Sequence, residues 1–114
     1  METDIAQKRL TYRQSLEATQ KRIVEQLSQM PEVEKVILFG SYAACRRDLF
    51  TDLDVIVVME SELDFMQRTA ELYKKLQSSV DMDLLVYTPD EFERKRKYGF
   101  LRHALDNGEV LYER

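Results

Sequence analysis

Apolar and polar positions along this chain follow two rhythms. From about Ile5 to Met30 no Gly or Pro interrupts the sequence, and Leu16, Ile23, Leu27 and Met30 recur at seven-, four- and three-residue steps. That spacing draws one apolar stripe along a helix. The first ten residues are less periodic, which predicts fraying there or support from a partner. Pro31 ends the helix. Short continuous apolar runs then take over: Lys35 to Phe39 reads as a first strand, and about Asp52 to Met59 as a second, buried on both faces.

Between these two strands Gly40 lets the chain turn. Tyr42 to Arg47 has room for one or two helical turns, and 48–51 for a loop. Ser61 with Asp64 three residues on resembles a capping box. It predicts a helix whose apolar residues Leu63, Met66, Ala70 and Tyr73 recur at helical spacing, broken at Ser78-Ser79. Val80 to Tyr87 reads as a third strand. Thr88-Pro89-Asp90-Glu91 is the strongest local signal: a capping Thr, a Pro suited to the first helical position, and a Glu that closes the box. The helix that follows is weakened at Gly99, turns Leu101, Ala104 and Leu105 inward, and stops at Asn107-Gly108. Val110 to Tyr112 makes a short last strand.

Connection lengths turn these elements into a topology. A helical crossover joins the second and third strands, so they run parallel. The connection from first to second is shorter and predicts an antiparallel pair. The expected fold class is α/β (α+β), a small mixed sheet with polar groups converging at one edge and helices covering the other face. The expected organisation is a single domain over 1–114, with a long N-terminal helix over about 5–30, a core over about 33–88, and a C-terminal helix and short strand over 89–114.

The polar groups at that edge suggest chemistry. Asp52 and Asp54 are spaced i, i+2, so in a strand they share one face. Neighbouring carboxylates repel unless a cation lies between them. Asp81 and Asp83 repeat the spacing near the start of the third strand, and Gly40-Ser41 closes the first. Two solvated aspartates at a strand start would be the plain alternative. A divalent metal site beside a phosphate-binding turn accounts better for three segments meeting.

Composition limits what such a site serves. The 114 residues have 44% hydrophobic and 33% charged content, which describes an ordinary globular chain. That length is expected to be too small for a catalytic domain plus a separate substrate domain. No apolar run approaches the ~20 residues that span a bilayer, and the start lacks the form of a signal peptide. A single cysteine, Cys45, fits a reducing cytoplasm. A net charge of −4 argues against non-specific duplex binding. Arg94-Lys95-Arg96-Lys97 reads as a solvated helix face, His103 as a structural or exposed residue, and the five Met as core filler.

Gly40-Ser41, ten residues, then Asp52-x-Asp54 before Val55-Ile56-Val57-Val58 resembles the signature of the minimal nucleotidyltransferases of the DNA polymerase β-like superfamily. Asp83 before Leu84-Leu85-Val86 best resembles that family's third carboxylate, with Asp81 the alternate. The likeness runs from about Val33 onward. It implies a magnesium-dependent transfer of a nucleoside monophosphate, AMP from ATP, to a hydroxyl. Asp52, Asp54 and Asp83 would be the catalytic and metal-holding groups for two Mg2+ ions, and Gly40, Ser41, Arg46 and Arg47 the nucleotide-phosphate contacts. Small members often occur with a HEPN-domain protein, which implies a protein acceptor and an antitoxin role. Ala44-Cys45 stands where members often have Arg-Gly. That difference favours the alternative, a module of the same fold that neutralises a partner by contact without turnover. The sequence leaves open whether two copies pair.

Overall fold

A computed structural model describes residues 2–40, 53–77 and 82–114. The chain order is α1 (Glu2–Ser28), β1 (Val33–Phe39), β2 (Leu53–Met59), α2 (Phe65–Leu76), β3 (Met82–Tyr87), α3 (Pro89–Lys95), α4 (Gly99–Asp106) and β4 (Glu109–Glu113). The four strands form one sheet in the order β3-β2-β1-β4. β2 and β3 are parallel, while β1 is antiparallel to both β2 and β4. The C-terminal end of β1 therefore lies beside the N-terminal ends of β2 and β3, the convergence expected from the connection lengths.

Alternation along the central strands divides the core in two. Val36, Leu38, Leu53, Val55, Val57, Leu84 and Val86 face one way and pack on Leu16, Ile23 and Leu27 of α1 and on Leu72 and Leu76 of α2. Ile37, Phe39, Ile56, Val58 and Tyr87 face the other way, under Phe92 of α3 and Leu101 and Ala104 of α4. Helices thus cover both faces. The expectation of one covered face fails because α3 and α4 fold back over the side that carries the aspartates. β2 is buried on both sides, as its continuous apolar run predicts.

Several local expectations are adjusted. The N-cap of α2 is Asp64, whose side chain accepts from the Gln67 N–H, while Ser61 Oγ accepts from the Leu63 N–H. The helix turns Arg68, Leu72 and Leu76 inward, leaving Leu63, Met66, Ala70 and Tyr73 exposed. It ends at Leu76, one residue before a left-handed Gln77, while Ser78 and Ser79 lie outside the described residues. The last helical stretch is two helices, parted before Gly99 with its φ of +69°. α1 is continuous from Glu2, and Ala6, Gln7, Lys8 and Leu10 on it are exposed. Among the described residues no helix is long and apolar enough to cross a membrane.

Candidate active site at the β1–β2–β3 edge

Strand pairing assembles what the structure describes of the site. Phe39, the last residue of β1, is the cross-strand partner of Asp54, and Asp54 is in turn the partner of Asp83 across the parallel pair. Paired residues of parallel strands point to the same face, one strand spacing of about 4.8 Å apart. Asp54 and Asp83 thus project together on the face of Ile56, Val58 and Tyr87. Asp54 is half-buried and Asp83 exposed, so the pair sits at the rim of the core, where water or a ligand reaches it.

Gly40 lies against the Asp54 carboxylate. Its φ is +75°, a left-handed shape that glycine adopts without strain. A Cβ built there would overlap Asp54 Oδ2 and come within 3.0 Å of its Cγ. Both backbone shape and lack of side chain are therefore required. Gly40→Ala is expected to destabilise the chain by about 2 kcal/mol, combining left-handed strain with a displaced carboxylate. A thermal melt measures the first, and a shifted Asp54 carboxyl resonance in NMR the second.

Gly40, Asp54 and Asp83 are therefore brought to one place. Ser41, Arg46, Arg47, Asp52 and the alternate Asp81, with Ala44 and Cys45, lie outside the described residues. Among the described residues no group of three or more His, Cys, Asp or Glu forms a metal cluster. The donor set that is present, two carboxylates side by side, suits a hard oxygen-seeking cation such as Mg2+ better than a thiophilic metal.

Sequence reasoning missed a residue that holds this site. The Tyr73 hydroxyl accepts from the Leu84 N–H at 2.8 Å and donates to the Met82 carbonyl at 2.9 Å. These groups flank Asp83, and among the described residues β3 is an edge strand with no strand on its outer side. Tyr73 pins the edge on both sides of the carboxylate. Its place at helical spacing with Leu63, Met66 and Ala70 suggested only an apolar contact. Tyr73→Phe is expected to cost about 1–2 kcal/mol and to speed hydrogen exchange at the Leu84 amide.

The remaining candidates lie elsewhere. Arg94, Lys95 and Lys97 are exposed, with Lys95 Nζ 5.8 Å from the centre of the Tyr87 ring. Arg96 is ion-paired to Glu93 at 3.1 Å and lies over Phe92. His103 is exposed on α4.

Comparison with known proteins places the chain in a family. The family model described as polymerase beta, nucleotidyltransferase matches residues 21–114. The chain is 32% identical over 82 residues to MJ0604 of Methanocaldococcus jannaschii, by name a candidate protein adenylyltransferase, covering 70% of this chain and 79% of that one. In fold it is similar to a candidate nucleotidyltransferase from Sulfolobus solfataricus, with a TM-score of 0.60 at 18% identity over 96% of this chain and 87% of that one. It is also similar to a chain of the toxin-antitoxin complex MntA-HpeT carrying Y104A, with a TM-score of 0.51 at 22% identity over 86% and 72% of the two chains. The chain belongs to the polymerase beta nucleotidyltransferase family, a family of transferase enzymes.

Proposed function

We propose that this chain transfers AMP from ATP to a hydroxyl group of a partner protein, as the antitoxin of a HEPN-type toxin pair. The observation that carries most weight is the register that sets Asp83 beside Asp54, with Gly40 against the Asp54 carboxylate. Family membership and the protein adenylyltransferase name of MJ0604 support the reaction class. The likeness in fold to a chain of a toxin–antitoxin complex supports a protein acceptor.

In this reading the acceptor oxygen attacks the α-phosphorus of ATP. A new P–O bond forms, the bond to the β-phosphate oxygen breaks, and pyrophosphate leaves. The hydroxyl proton passes to a carboxylate, for which Asp83 on the exposed edge is our assignment. Asp52, Asp54 and Asp83 would hold Mg2+, which when bound offsets the charge that builds on the phosphoryl oxygens. Gly40 lets backbone approach the triphosphate closely, and Ser41, with Arg46 or Arg47, would hold its outer phosphates.

The test uses the full chain with its co-purifying partner, Mg2+ and ATP labelled in the adenine or the α-phosphate. Label on the partner that vanishes with Asp54→Asn is expected. A tight complex that never takes up label would overturn the enzyme in favour of the contact-only module.

A further inference from the structure

Phe100 lies in the first turn of α4 and is 57% exposed. It packs edge to face with Phe39, ring centres 5.8 Å apart at 84°. In such a contact at least one flat face of Phe100 is left uncovered by Phe39. Phe39 is itself the strand partner of Asp54 and the residue before Gly40. Phe100 therefore stands one ring contact and one strand spacing, about 4.8 Å, from Asp54, with Asp83 one strand further on.

The backbone holds it there. Gly99 has a φ of +69° with open space around the position of a Cβ, so its requirement is conformational and not steric. That left-handed residue parts α3 from α4. Leu101 and Ala104 of α4 are buried beside Ile37 and Phe39, and Phe100 is left at the rim near the end of β1. The chain thus holds, through a left-handed glycine and a ring contact with Phe39, an aromatic side chain that stays more than half exposed.

We infer that Phe100 is the stacking platform for the nucleobase of the nucleoside triphosphate, a reading that rests on the transferase function proposed above. A base joined through its ribose to a phosphate at Asp54 extends beyond the carboxylates, and Phe100 is an exposed ring placed beside them by its contact with Phe39. An aromatic face accepts any base by stacking, so this contact supplies affinity for the nucleoside and little choice among bases. A flat ligand also covers one free ring without ordering further chain.

Calorimetry on the full chain separates base from phosphate, using AMP-PNP and inorganic tripolyphosphate as the two probes. Phe100→Ala is expected to weaken AMP-PNP about tenfold and to leave tripolyphosphate unchanged. Phe100→Trp restores AMP-PNP binding, whereas Phe100→Leu, apolar but without a π face, does not. Met66→Ala, exposed on the far helix, changes neither probe. Unchanged AMP-PNP binding in Phe100→Ala overturns the inference alone, and it assigns the ring to a protein surface if the partner complex weakens instead. Equal loss for both probes also overturns it, by showing that the ring only supports the fold. A wild-type chain that binds neither probe sinks the transferase reading together with the inference.

Discussion

Asp54→Asn is expected to slow nucleotidyl transfer by at least a hundredfold without unfolding the chain. The substitution keeps the shape of the side chain and its fit against Gly40, and it removes one negative charge from the middle of the proposed site. In phosphoryl transfer the protein contributes chiefly position and electrostatics. Loss of a single well-placed electrostatic group commonly costs two to three orders of magnitude. Asp83→Asn is expected to act in the same direction, since register makes the two carboxylates neighbours. The stability result separates a site from a scaffold. Asp83 is exposed at a sheet edge, so its asparagine variant should melt within a few degrees of the wild type when Mg2+ is absent. A magnesium titration followed by that melt gives the complementary reading. Metal that binds the folded state raises Tm by linkage, and the rise should shrink in either variant. A full rate in Asp54→Asn would remove these carboxylates from the mechanism.

The parts of this fold legible in the sequence are those set by chain length and period. A helix-length crossover sets β2 and β3 parallel, and that orientation alone places Asp54 and Asp83 at the same end of the sheet. The capping box at Thr88 and Glu91 was equally readable, because both of its hydrogen bonds are local: Thr88 Oγ1 accepts from the Glu91 N–H and Glu91 Oε1 from the Thr88 N–H. The face of α2 was not. Two stripes share that helix, and the one with more apolar residues, through Met66 and Tyr73, faces outward. The stripe that goes inward begins with Arg68, a charge that a hydrophobic count places in water. What turns it inward is a set of partners on β3 and α3, distant in sequence, and no periodicity encodes them. For the same reason Tyr73 read as an apolar position, although its hydroxyl serves the backbone around Asp83. The meeting of Asp54 with Asp83 was readable because both lie on strands; Ser41, Asp52, Arg46 and Arg47 fall outside the described residues.

Arg68→Met is expected to lower stability by about 3 kcal/mol while leaving the carboxylate end of the sheet intact. Arg68 is 5% exposed. Its Nε donates to the Val86 carbonyl at 3.0 Å, one terminal nitrogen to the Leu63 carbonyl at 3.2 Å, and the other to Glu91 Oε1. Its guanidinium also lies 5.5 Å from the centre of the Phe65 ring. One side chain thus joins α2 to the C-terminal end of β3 and to the first turn of α3. Methionine retains most of the apolar stem but leaves those acceptors without their donor, the situation in which breaking a buried pair costs about 3–5 kcal/mol. The lower end applies because the Glu91 side chain is 26% exposed and regains some hydration. Glu91 also gives the effect a pH dependence. Burial opposes its charge, but the Thr88 N–H, the Arg68 guanidinium, the Thr88 hydroxyl and Lys95 together outweigh burial and hold its pKa below the usual value. A carboxyl whose pKa is lowered by folding adds stability above the unfolded-state pKa, and that contribution is lost as pH falls through the folded-state value. Acid should therefore narrow the gap in Tm between wild type and Glu91→Gln, which retains the capping geometry and lacks the charge. Val86 and Glu91 lie at the opposite end of β3 from Asp83. At temperatures where Arg68→Met stays folded it should therefore bind Mg2+ like the wild type, and a magnesium titration on the variant checks this directly. Equal damage to both ends would mean that β3 transmits the loss along its length and that the two ends of the sheet are not independent.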